Sequence, residues 1–243
     1  MRLKANYLIG VFLSILLMSC QFNGNFSFGV KGNGNVIKKD RSISENFNKI
    51  EVSRGLDVYL TQSDDTSIQV EADENLHDII ITEVEGNTLK IYADENISSS
   101  KSQKVFVNFN DIQEIISTSG TDVYSTTLIK SDVLKLTTTS GSDMELEIEV
   151  DVVQCESTSG SDLRLTGTAN KIFAEATSGS DIKAGDLIAK YGKANATSGA
   201  DIILNTSEEL FAKASSGGDI KYYGKPDKIT KKGGVSGSIS KNK

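Results

Sequence analysis

The chain has 243 residues, 37% hydrophobic, 24% charged and 7% aromatic, with 26 basic against 33 acidic side chains and a net charge of −7. That balance excludes collagen, a disulfide-stapled mini-protein and wholesale disorder. It also argues against nucleic acid as a partner, because phosphate binding requires basic surface.

Arg2 and Lys4 precede a short apolar run, Tyr7–Met18, that ends in Leu17-Met18-Ser19-Cys20. The run is too short to span a bilayer comfortably and fits the h-region of a secretory signal. Its end resembles the lipobox of bacterial lipoproteins. The resemblance implies a lipoprotein signal peptide over 1–19 and a membrane anchor through lipid at Cys20. Gln21 in place of Asp points to the outer membrane, and the lack of an acidic run after Cys20 favours a periplasm-facing protein over a surface-exported one. Residues 20–46 are polar and rich in Gly and Asn, as expected of a flexible tether, with a short edge strand possible around Phe26, Phe28 and Val30. Without residues 1–19, which hold two basic and no acidic side chains, the net charge becomes −9.

From Phe47 to Ile116 the sequence alternates in short pieces, such as Ile50-Glu51-Val52 and Leu89-Lys90-Ile91-Tyr92-Ala93. Glu85-Gly86-Asn87-Thr88 predicts a hairpin. This part reads as wider, decorated coils that close one end of a stack.

The regular repeat follows. Ser-Gly pairs recur with Gly at 120, 141, 160, 179, 199, 217 and 237, spaced by 21, 19, 19, 20, 18 and 20 residues. An earlier relative is Arg54-Gly55-Leu56-Asp57. Between the glycines apolar residues alternate with period two, the mark of strands with one buried face. Such units bury their apolar faces only by stacking. The fold class is therefore all-β: a single-stranded parallel β-helix, or solenoid, with coils of about 19–20 residues and successive coils about 4.8 Å apart. The reading places irregular coils at 47–116, regular coils at 117–224 and a basic cap or tail at 225–243, which holds six lysines and one aspartate. The glycine excess becomes a fixed corner. The near-absence of proline follows because each coil must donate hydrogen bonds to the next.

The lipobox, the strand Phe47-x-x-Ile50-x-Val52 with Gly55-x-Asp57-Val58, and the Ser-Gly-Ser-Asp coils together resemble the family known as putative auto-transporter adhesin, head GIN domain. The resemblance covers about 47–223. It implies a secreted or lipid-anchored β-helical protein, its name suggests adhesion, and it brings no catalytic motif.

In register, the coils create a column of Asp122, Asp143, Asp162, Asp181, Asp201 and Asp219. This ladder is a candidate for ligand or cation binding. Calcium between coils is the one cofactor considered, and none is expected otherwise, because hard-cation sites cluster several acids in one loop. The competing role is for Asp to cap backbone N–H groups of the turn. Phe173 and Phe211 share one offset and suggest a stacked binding strip for a glycan or protein. Arg164, Lys183 and Lys221 share another, with Glu145 and Tyr124. His77, the one histidine, reads as a surface residue, and Cys155 as a small inward one. The expectation is a non-catalytic envelope protein for adhesion or ligand binding. A carbohydrate-active enzyme and a purely structural envelope protein are the alternatives.

Overall fold

A computed structural model describes residues 29–43 and 45–242. Residues 1–19, expected to be a signal peptide, and Cys20 lie outside the described residues. In chain order the strands are β1 (Val30–Lys31), β2 (Val36–Arg41), β3 (Lys49–Val52), β4 (Asp57–Gln62) and β5 (Ser67–Asp73). After a 3-10 turn at Glu74–Leu76 come β6 (Ile80–Glu85), β7 (Thr88–Ala93), β8 (Ile97–Ser99), β9 (Gln103–Phe109), β10 (Glu114–Thr118) and β11 (Asp122–Ser125). The longer strands are β12 (Ile129–Thr139), β13 (Asp143–Thr158), β14 (Asp162–Thr177), β15 (Asp181–Thr197) and β16 (Asp201–Ser215). The chain closes with β17 (Asp219–Gly224), β18 (Lys228–Gly233) and β19 (Ser238–Lys241).

Among the described residues these strands stack as about seven turns of about 19 residues, a parallel β-solenoid. Within β13 the side chains of Met144, Leu146, Ile148 and Val150 point inward. The phase then slips at Val152, and Val153, Cys155 and Ser157 point inward. One such slip bends the strand around the core without ending it. The other bend is the Ser-Gly corner. Ser119, Ser140, Ser159, Ser178, Ser198, Ser216 and Ser236 all hold φ between 53° and 60°, and all but Ser236 are followed by glycine at positive φ. The ladder runs through this corner: the N–H of Gly160 donates to the Ser178 carbonyl at 3.2 Å, and that of Gly141 to Ser159 at 3.2 Å.

The inside of the corner is polar. Thr121, Ser142, Ser161 and Ser180 are fully buried just after the glycine, and Ser117, Thr138 and Ser157 are buried three residues before it. The Ser161 hydroxyl accepts from the Thr158 N–H at 3.2 Å. Its proton is shared between the carbonyls of Thr158 at 2.8 Å and Thr138, one coil away, at 2.9 Å. In these coils Ser142, Ser161 and Ser180 thus cap the turn, while the Asp143 carboxylate accepts the backbone N–H of Asp162 in the adjoining coil.

The N-terminal part differs from simple chain order. β3 lies between β7 and β10, and β4 between β9 and β11. The first coil in sequence is therefore the second rung in space. Below β7 and β9 the pairing turns antiparallel: β6 packs on β7 through the expected hairpin, and β5 packs on β9 with β2 outside it. These strands cover the end of the core, which an open parallel stack would leave exposed. Two expectations are corrected here. Part of the segment 20–46 read as tether belongs to the fold, since β1 pairs β8 and β2 pairs β5. The buried Asp73 carboxylate accepts the Gly34 N–H at 3.1 Å and helps hold this strap. At the other end, residues within 225–243 form β18 and β19, which pair with β16 and β17 as a further partial coil.

His77 is a further correction of placement: it is 2% exposed, not a surface residue. Its Nε2 lies 3.1 Å from the Ile37 carbonyl of β2, and Arg41 donates to the His77 carbonyl at 2.6 Å. Burial lowers its pKa, with the Ile37 hydrogen bond opposing. Cys155 is buried as expected, and burial pushes its thiol pKa up strongly.

Candidate functional site: the outward columns of the coils

Alternation sends every second side chain outward, and register aligns those side chains into columns. The column two residues after the corner glycine contains Asp57, Asp122, Asp143, Asp162, Asp181, Asp201 and Asp219, paired coil to coil. All six expected carboxylates are in it, and Asp57 extends it to seven. Lys104 and then Glu71 and Lys38 continue the column into the end cap, where charges alternate and Lys38 lies 3.2 Å from Glu71.

Like charges one coil apart disfavour ionisation, and partial burial adds to this. Burial raises Asp57, with Lys104 opposing. Burial also raises Asp122, Asp143 and Asp201, and each is raised further by neighbouring aspartates of the column. Compensation is local: Lys183 Nζ, from the neighbouring outward column, lies 2.6 Å from Asp162 and 3.2 Å from Asp181. No group of three or more His, Cys, Asp or Glu is placed to hold a metal ion among the described residues.

The neighbouring outward column begins with rings. Phe106 and Tyr59 stack with centroids 5.2 Å apart at 19°, and Tyr59 and Tyr124 at 5.5 Å and 25°. Lys38 sits over Phe106 at 5.4 Å and Lys104 over Tyr59 at 5.6 Å. The column then runs through Glu145, Arg164 and Lys183, but Ile203 separates Lys183 from Lys221. Tyr124, Glu145, Arg164 and Lys183 border a shallow depression of about 200 Å³ beside Asp143 and Asp162. The stack was partly readable, because Tyr59 stands four residues after Gly55 as Tyr124 does after Gly120. Phe106 has no repeat to anchor it.

The face before the corner carries the two expected phenylalanines. They share a column, but Lys193 stands between them, so they do not stack. Lys232 covers the Phe211 ring at 5.3 Å from its centroid. Lower on this face burial raises the Glu114 carboxyl, yet Lys49 and Lys135, each 3.0 Å away, outweigh it and hold the pKa below its usual value.

The family model for “Putative auto-transporter adhesin, head GIN domain” matches residues 46–226. The chain belongs to this head GIN domain family. Solved structures share the head GIN architecture. A putative adhesin of Bacteroides fragilis aligns with a TM-score of 0.81 at 24% identity, covering 88% of this chain and 100% of that one. A putative lipid binding protein of Parabacteroides distasonis gives 0.74 at 26%, over 88% and 99%. A putative adhesin of Parabacteroides merdae gives 0.72 at 20%, over 88% and 99%. No curated protein matches the chain. No helix among the described residues is long and apolar enough to cross a membrane.

Proposed function

We propose that this head GIN protein is a non-catalytic adhesion module that presents its rigid outer columns to a ligand at the cell envelope. The aspartate ladder carries the reading. Seven carboxylates lie in register, raised by burial or by each other at four positions, while the serine hydroxyls of Ser142, Ser161 and Ser180 already cap their corners. A surface selected for stability alone would not retain such a column, and departures from stability rules concentrate at functional places. The family description and the adhesin names of its structural neighbours support the same reading. His77, the one histidine, serves the end cap through both its ring and its carbonyl, which supports a role outside catalysis.

The sequence before the fold supports an outer-membrane lipoprotein facing the periplasm, held by lipid at Cys20. Cys20→Ser should move the protein from the membrane fraction to the soluble one, and unchanged partition would overturn the anchor. The function is tested by immobilising the mature chain and exposing it to panels of glycans and extracellular proteins, with product analysis of every bound polymer. Saturable retention without bond cleavage is expected. Cleavage of any polymer would make the protein an enzyme, and retention of nothing would leave it a structural component of the envelope.

A further inference from the structure

Phe173 is 41% exposed at the centre of the face before the corner. Register places Gln154 on the coil below it and Lys193 on the coil above. Along its own strand the outward neighbours are Lys171 and Glu175. Val152 and Glu156 stand diagonally on one side, Tyr191 and Asn195 on the other. The Asn195 amide donates to Glu175 at 3.0 Å, which fixes both groups at the rim. Phe173, Gln154 and Lys193 border a depression of about 180 Å³ that reaches down to Cys155 and Ala174.

The chemistry of this patch selects among ligands. Lys135 and Lys193 with Glu156 and Glu175 are the charged groups that line the depression, and Lys171 stands outside it, so the lining balances and favours neither an anion nor a cation. Phe173 with Tyr191 and Val152 at its flank, broken up by Lys171, Lys193 and Gln154, is too little continuous apolar area for the core of a protein interface. A sugar ring matches it. Its C–H face can lie on the aromatic ring, while its hydroxyls donate to Glu156 and Glu175 and accept from the Gln, Asn and Lys side chains. Phe211, in the same column, is already covered by Lys232 and offers no second platform. We propose that Phe173 and its rim form a subsite for a neutral glycan. The proposal rests on the adhesion reading and gives it a ligand class.

The test uses the full mature chain on an array of neutral oligosaccharides, sulfated polysaccharides and extracellular proteins. Phe173→Ala should weaken retention on neutral oligosaccharides by about tenfold or more, as loss of a central aromatic contact does. Phe173→Tyr should retain it, and Phe211→Ala should leave it unchanged. Neutral-glycan binding that is the same in wild type and Phe173→Ala overturns the subsite. So does wild-type binding confined to proteins or sulfated polymers, and in both cases the adhesion reading stands. Retention of nothing on the array overturns both.

Discussion

Each coil is decided at two residues, a serine and a glycine that both hold positive φ. For Ser159 the left-handed backbone costs about 1–2 kcal/mol, an expense repeated in every coil and recovered by the ladder passing unbroken through the turn. Glycines are not equivalent in this respect. At Gly160 a Cβ would meet nothing within 4 Å, so Gly160→Ala should cost only the strain at φ 70°, about 1 kcal/mol. At Gly167, with φ 108°, a Cβ would lie 2.1 Å from the Ile148 carbonyl oxygen of the adjoining coil. Gly167→Ala should therefore destabilise far more than Gly160→Ala. Denaturant midpoints of the two variants check the order, and equal losses would contradict it. The sequence exposed Gly160 through its spacing. It concealed Gly167, which sits once and at no repeated offset. The buried serines were also concealed, since a polar residue in an alternating pattern is read as outward until the turn geometry turns it in.

At the scale of the strand ladder, stacking makes each outward residue a neighbour of its counterpart in every adjoining coil. That is why the aspartate column was legible from spacing alone, and why Phe173 and Phe211, two coils apart, could not touch. The charge arithmetic gives a sign. Asp143 has a folded pKa above its ordinary 3.8, so protonation favours the folded state. Its contribution is fully present below the unfolded pKa and is lost as pH rises through the raised folded value. At neutral pH the charge is thus a net penalty, and Asp143→Asn should stabilise by up to about 1 kcal/mol, or up to about 3 °C in Tm. The gain should vanish below pH 3.8. Melting curves across pH test this; a loss of stability at neutral pH would show that the hydrogen bond from the Asp162 N–H outweighs burial and repulsion. With one carboxylate per coil, calcium and a chelator should give the same Tm, and a calcium-dependent rise would establish a cation in the ladder.

The molecule as a whole is a stack with one end covered, and the cover holds the histidine that responds just below neutral pH. His77 is buried beneath β2 with its pKa lowered by desolvation. Its contribution to stability is full above the ordinary value of 6.5 and is lost as pH falls below it towards the lowered folded value. Tm should drop between neutral pH and about pH 5. In His77→Gln, which keeps a donor for the Ile37 carbonyl, that drop should flatten; an unchanged slope would place the titrating group elsewhere. The regular coils were legible because a repeat compares itself with its neighbours. The cover was not, because its strands occur once each and turn antiparallel, and because the glycines of 29–34 look like a linker until Asp73 is seen to gather them. The displaced second rung has a further consequence. A chain made N-terminus first delivers Lys49–Gln62 before either strand pair that will flank it. One edge of that segment waits for β7 and β9, complete at Phe109, and the other stays open until β11 ends at Ser125, some sixty residues on. Vectorial growth of the stack can begin only after the rung has been enclosed, so a nascent chain halted before Ser125 should resemble a client for chaperones more than a short solenoid.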